Sequence, residues 1–314
     1  MSPQPGPLLV IGDSAGQLAT ALMAGSTGLQ LLGRPQLDFD RTDAIIPALR
    51  AVAPSLVVNS AAYTAVDRAE TEADAAYRAN RDGPAALAAY CAEAGIPLIH
   101  VSTDYVFDGL KGAPYVETDP PSPTGVYGAS KLAGEQAVLA ACPRAIILRT
   151  SWVYAATGRN FVLTMLAARA RTDRLRVVAD QIGCPTTAPD LAQVILAIAA
   201  RIREHGWDDR YAGLFHAAGT GSTSWHGLAT AVFEEAARFG MTPPTVEPIA
   251  TADWPTPVRR PADSRLDCSR LAATFGLQLP DWRDSLSTVI TEVFSRGAAP
   301  DPARGFAPGP HQGA

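Results

Sequence analysis

Leu8-Leu9-Val10-Ile11-Gly12-Asp13-Ser14-Ala15-Gly16-Gln17-Leu18-Ala19 is the stretch that decides the fold. Four apolar residues in a row read as a strand buried on both faces, the pattern of a parallel sheet covered by helices. The strand runs straight into a glycine turn and then into a helix predicted over residues 15–24. Such a turn lets backbone N–H groups approach a pyrophosphate at a helix N-terminus. The spacing G-x-x-G-x-x-G is kept in part. Gly16 and the small Ala19 fit its second and third glycines, Asp13 takes the first, and Gly12 falls one residue early. Taken alone, the turn is equally an ordinary strand–helix connection. A carboxylate at Asp13 would repel a pyrophosphate, so it is expected to point away and cap the helix through a free N–H, with Gly12 supplying the backbone freedom.

The same alternation continues outward. Short apolar runs recur at Leu29–Gly33, Leu56-Val57-Val58, Leu98-Ile99-His100-Val101 and Ile146-Ile147-Leu148. Between them lie helical patterns near residues 42–53, 72–94 and 128–142, the second ending at Gly95-Ile96-Pro97. Strands alternating with helices predict an α/β, doubly wound parallel sheet. After about residue 155 the pattern changes. Helices are predicted at 160–172, 189–204, 224–239 and 282–295, and short strands at 175–180, 213–218 and 245–250. This half reads as a smaller mixed lobe (156–296) beside a first unit (7–155) to which later segments return. Residues 297–314, rich in Gly, Pro and Ala, read as a disordered tail. No internal repeat is visible.

The composition excludes several classes. Hydrophobic residues make up 47% and charged residues 18% of 314, which suits a globular chain with a sizeable core. Lys and Arg number 26 against 31 Asp and Glu, a net charge of −5 without a basic run, so neither nucleic acid nor an anionic membrane is expected as partner. No apolar run approaches the roughly 20 residues of a membrane span. Met1-Ser2-Pro3-Gln4-Pro5-Gly6 has no signal-type pattern, so a cytoplasmic location is expected. The four cysteines and five histidines lack ligand spacing, so no metal and no disulfide framework is expected.

The candidate site residues fall at the ends of the predicted strands. Gly33-Arg34 ends the second strand, where Arg34 is either a solvated surface charge or a partner for a 2′-phosphate. Asp38 and Phe39 follow, placed to frame an adenine. The third strand ends in Ser60-Ala61-Ala62-Tyr63-Thr64, small residues that let a cofactor pass close to the backbone. Ser102-Thr103-Asp104-Tyr105 ends the fourth strand. Tyr127-Gly128-Ala129-Ser130-Lys131 sets a phenol and an ammonium at i and i+4 on one helix face. A nearby ammonium favours the phenolate and is expected to lower the Tyr127 pKa. A hydroxyl, a phenol and an ammonium around one carbonyl oxygen polarise a ketone for hydride attack.

With these motifs together, the chain resembles the dTDP-4-dehydrorhamnose reductases, a family of extended short-chain dehydrogenases/reductases, over about residues 7–295. The resemblance rests on Val58–Asp67, Ser102–Gly109, Val126–Glu135, Arg149–Tyr154, Asp180–Thr186 and Pro257–Pro261. It implies a Rossmann-type sheet with a smaller mixed α/β substrate-binding lobe, NADPH or NADH as cofactor, a dTDP-sugar as substrate, and a monomer or homodimer. It implies Tyr127 as proton donor, Lys131 on the nicotinamide ribose and Thr103 on the reacting oxygen. Thr103, Asp104 and Trp152 would contact the sugar nucleotide. Gly12, Gly16, Gln17, Leu18, Asp38, Phe39, Ala61, Ala62, Tyr63 and Thr64 would line the cofactor. Trp152 alone reads equally as a core aromatic, and Arg259 and Arg260 as surface charges or as a clamp on phosphate or ribose. Some members bridge dimers through metal-bound carboxylates; Pro189-Asp190 stands at such a place, and no metal is expected.

Two rival readings remain. One is another sugar-nucleotide reductase, epimerase or dehydratase of the same superfamily; the dehydratases follow the Thr with an Asp-Glu pair, because eliminating water needs an extra acid and base. Here Asp104 precedes Tyr105. A regulatory subunit of methionine adenosyltransferase keeps this fold as a binding module, and fold alone does not separate the two.

Overall fold

The structure, a computed structural model, describes residues 6–297. The expected disordered tail therefore lies, apart from Gly297, outside the described residues. Along the chain, β1 (Leu8–Ile11) leads through α1 (Gln17–Gly25) to β2 (Leu29–Leu32), α2 (Thr42–Val52) and β3 (Leu56–Asn59). The short α3 (Val66–Ala69) and α4 (Ala73–Tyr77) precede α5 (Gly83–Ala94), β4 (Leu98–Thr103), α6 (Val126–Ala141) and β5 (Ala145–Thr150). The second half adds β6 (Val153–Tyr154), α7 (Phe161–Arg169), β7 (Arg174–Val178), β8 (Ile182–Gly183), β9 (Thr186–Thr187) and α8 (Ala188–His205). It ends with β10 (Gly213–His216), β11 (Thr223–Ser224), α9 (Trp225–Ala237), β12 (Thr245–Ile249), α10 (Ser269–Phe275) and α11 (Trp282–Ser295).

Six strands form one parallel sheet in the order β10-β5-β4-β3-β1-β2. Its strands are mostly apolar because helices cover both faces. Val10, Val58, Ile99, Ile146 and Phe215 pack with Leu22 of α1, Leu191 and Ile195 of α8 and Phe275 of α10. Leu9, Ile11, Val57 and Ile147 face the other way, onto Ile45, Leu49, Leu87 and Val138. A third core, with Val162, Leu228, Val232, Leu286 and Ile290, joins α7, α9 and α11.

The local pattern missed several features. The helix expected over residues 72–94 is interrupted by a π-helical turn at Arg78–Asp82. Pro84 has no N–H to give the Asn80 carbonyl, and the Asn80 side chain is drawn out by Tyr63 and Ser130. Which later segment returns to the first unit was not legible; the strand near 213–218 is one, pairing with β5 at the edge of the main sheet. Helix α10 is short, and its apolar spacing was too brief to register.

Inside the sheet's flank, Arg149 of β5 donates from Nε to Glu135 Oε1 at 2.9 Å and from an NH2 to Glu135 Oε2 at 2.6 Å, and both side chains are buried. The Phe107 ring lies 5.0 Å from the guanidinium. His216 sits nearby, and burial together with the Arg149 cation pushes its pKa down to about 4. Removing one member of a buried pair strands the other charge. Glu135→Ala is expected to cost about 3–5 kcal/mol in urea unfolding, and an apolar double replacement of Glu135 and Arg149 to recover most of that loss.

Candidate active site

The C-terminal ends of β1, β3, β4 and β5 open into one cleft of about 1630 Å³. It lies where the strand order reverses between β1 and β3, the place where open α/β sheets bind ligands. The glycine turn forms one wall. Gly16 N–H donates to Asp13 O at 2.9 Å, and Ala15 N–H donates to Asp13 Oδ1 at 2.8 Å. The Asp13 carboxylate thus caps the turn itself rather than α1, whose N-cap Gly16 receives no side-chain bond. Gly12 is not in the left-handed region. Its role is close packing, since a Cβ there would lie 2.6 Å from Ser60 Oγ and 3.0 Å from Ala19 Cβ.

Tyr127 and Lys131 lie on the first two turns of α6 and line the cleft with Thr103, at the end of β4. Lys131 Nζ donates to Val101 O at 2.7 Å. Burial pushes its pKa down to about 8, with Glu135 opposing. Burial also raises the Tyr127 pKa, while the Thr103 side chain pulls the other way. The expected lowering by Lys131 is therefore reversed, because desolvation of the phenolate dominates. A phenol so raised keeps its proton at neutral pH. Thr103 Oγ1 donates to Asp104 Oδ1 at 3.1 Å. Asp104 is buried, and desolvation raises its pKa to about 6, while the nearby Ser264 and Thr103 hydroxyls pull the other way.

The cleft wall includes Gly12, Gly16, Gln17, Leu18, Arg34, Phe39, Ala61, Ala62, Tyr63, Thr64, Thr103, Asp104 and Trp152. Three residues singled out from the sequence do not line it. Asp38 is turned to Arg34, accepting from its Nε at 2.9 Å. Arg260 is buried against Asp67 Oδ1 at 2.7 Å and lies over the Tyr105 ring, and Arg259 is exposed. The structure adds residues that the motifs passed over. Trp225 lines the cleft beside Trp152, and the segment Thr157–Asn160 leans on the glycine turn through Asn160 Nδ2 to Gln17 Oε1 at 2.9 Å. No local signal marks them, because they arrive from the second half of the chain.

Residues 7–295 match the family model described as the RmlD substrate binding domain. A dTDP-4-dehydrorhamnose reductase of Sinorhizobium fredii is 44% identical over 292 residues, 92% of this chain and 98% of the relative. The chain belongs to the dTDP-4-dehydrorhamnose reductase family. The reductase of Mycobacterium tuberculosis H37Rv is 42% identical over 90% of this chain and 92% of its own. The Bacillus anthracis reductase, solved in complex with NADP, superposes with a TM-score of 0.84 at 32% identity, covering 91% of this chain and 99% of that one. Within the family fold, Asp190 is engaged by Thr187 and Ser285, which ties the start of α8 to α11. Among the described residues no group of three or more His, Cys, Asp or Glu is placed to hold a metal, and no helix is long and apolar enough to cross a membrane.

The buried Asp104 makes a pH test. Its carboxyl titrates near 3.8 when exposed and near 6 in the fold. Between these values the folded state holds the extra proton, so stability falls as pH rises through that window and stays lower above it. Asp104→Asn removes this titration. At pH 8 the variant is expected to be about 3 kcal/mol more stable than the unmodified chain, and the gap should close toward pH 4 in urea unfolding.

Proposed function

We propose that this chain reduces the C4 ketone of dTDP-4-dehydro-β-L-rhamnose to dTDP-β-L-rhamnose with NADPH or NADH, the final step in making that sugar donor, in the cytoplasm. The reading rests on one observation: Thr103, Tyr127 and Lys131 converge on a cleft that starts at the glycine turn. The cleft suits two phosphate-bearing ligands. Its charged lining residues are Arg34, Arg68, Lys131, Arg159, Arg171 and Arg296 against Asp13 and Asp104. Ser102 Oγ and Thr150 Oγ1, buried at the ends of β4 and β5, have no hydrogen-bond partner among the described residues. Groups of that kind are satisfied by a bound ligand.

When bound, the cofactor supplies a hydride to the ketone carbon. Gly16, Gln17 and Leu18 hold its pyrophosphate side, Phe39 and Ala61–Thr64 its adenosine side, and Lys131 its nicotinamide ribose. Tyr127 gives its phenolic proton to the oxygen that becomes the C4 hydroxyl. Thr103 turns its one O–H from Asp104 Oδ1 to the same oxygen as negative charge develops there. Asp104 and Trp152 contact the sugar nucleotide. We assign residues 7–155, with β10 and α8, mainly to the cofactor and most of 156–296 to the substrate.

The test is a coupled assay with enzymatically made dTDP-4-dehydrorhamnose that follows NADPH and NADH absorbance. Net consumption supports the reductase; a dehydratase, an epimerase or a regulatory subunit consumes none. Tyr127→Phe is expected to lower kcat about 10²–10⁴-fold with cofactor affinity nearly unchanged. Retention of half the unmodified kcat would rule out the role given to the phenol. Lys131→Met is expected to weaken cofactor binding as well.

Arg34 is 65% exposed and already bonded to Asp38 and Asp40. Arg34→Ala is therefore expected to weaken NADPH by only about 1.5 kcal/mol, roughly tenfold in Kd, and NADH by less. Calorimetric titration with both cofactors measures the difference; equal losses would mean that Arg34 does not read the 2′-phosphate.

A further inference from the structure

Trp152 has a backbone φ of 48°. A bulky residue stays in that left-handed region only when its surroundings hold it there. Its indole stacks on Trp225, with ring centroids 3.5 Å apart and planes 6° apart. Gly183 approaches the same indole. A Cβ on Gly183 would lie 2.4 Å from Trp152 Cε2, 2.6 Å from Nε1 and 2.7 Å from Cζ2. Near-equal distances to an atom and its two bonded neighbours put that backbone over the ring plane, not at its rim. The Trp225 ring fills its own side, so Gly183 takes the other face. The two jaws are joined, because β8 and β11 pair with Thr223 opposite Gly183, and Trp225 follows directly after β11. Phe161 backs Trp225 at 4.8 Å. Ser151 Oγ donates to Cys184 O at 2.6 Å, fixing the backbone on either side of the clamp.

With both faces covered, Trp152 has no open π-face for a sugar ring. Its edge borders the cleft, and its Nε1–H makes no hydrogen bond to another described residue. We infer that Trp225 and Gly183 are positioning residues that hold Trp152 edge-on, so that its Nε1–H donates to an oxygen of the sugar nucleotide and sets affinity for that ligand alone. The inference rests on the reductase reading for the identity of the ligand.

The experiment is calorimetric titration of the full chain with dTDP-L-rhamnose and, separately, with NADPH. Trp152→Phe keeps an aromatic ring in the clamp and deletes the donor; it is expected to weaken dTDP-rhamnose roughly tenfold. Trp225→Leu opens one jaw, and Gly183→Ala pushes Trp152 off the other. Both are expected to weaken dTDP-rhamnose by a similar factor and to leave NADPH within twofold, while Trp225→Phe restores most of the loss. Gly183→Ala removes no contact, so it carries the test if Trp225→Leu does not fold. Unchanged dTDP-rhamnose affinity in Trp152→Phe overturns the inference. So does an equal loss for both ligands in Gly183→Ala. Normal turnover of the unmodified chain alongside unaffected variants defeats the clamp alone. Tight dTDP-rhamnose binding without NADPH consumption in the coupled assay defeats the reductase reading and leaves the clamp standing. No dTDP-rhamnose binding by the unmodified chain overturns both.

Discussion

The geometry of the site depends on one hydrogen bond, from the buried Lys131 ammonium to Val101 O at 2.7 Å. A cation taken out of water needs a partner held in place, and a carbonyl near the end of a central strand is such a partner. Tyr127 stands one helical turn before Lys131, and Thr103 stands two residues after Val101. The bond therefore fixes helix α6 against β4 at the point where the phenol and the hydroxyl line the same cleft. The strain of this arrangement is electrostatic: burial brings the Lys131 pKa down to about 8.

Helix α6 reaches that position because its packing face is partly bare. A Cβ on Gly134 would lie 1.9 Å from Asn80 O, and one on Gly128 would lie 2.2 Å from Tyr105 O. The carbonyl that Gly134 admits belongs to the π-helical turn, which exists because Pro84 cannot satisfy it. Asn80 closes the arrangement, since its amide bonds Tyr63 O at 3.1 Å and Ser130 Oγ at 3.0 Å. The loop after β3 and helix α6 are thus held by the same side chain. A local irregularity in one helix serves the registration of another.

Stability is given up where the chemistry sits. The Asp104 carboxyl is buried and raised in pKa, and Trp152 occupies backbone space that bulky residues avoid. The compensation lies elsewhere, in apolar layers on both faces of the sheet. Binding energy for a charged, hydroxylated ligand requires such pre-ordered polar groups, and a fold optimised for stability alone would not keep them.

Legible along the chain were the parallel sheet, the glycine turn at the end of its first strand, and the common helix face of Tyr127 and Lys131. These are local facts: a four-residue apolar run needs helices on both sides, and a Tyr and a Lys four apart share a helix face wherever the helix goes. Other features were decided only by tertiary structure. Among them are the direction of the Tyr127 shift, the withdrawal of Arg260 onto Asp67, the return of β10 to the main sheet, and the pairing of Trp152 with Trp225 and Gly183. Each depends on which distant segments surround a side chain and how much water they remove, and neither quantity is written in the spacing of residues along the chain.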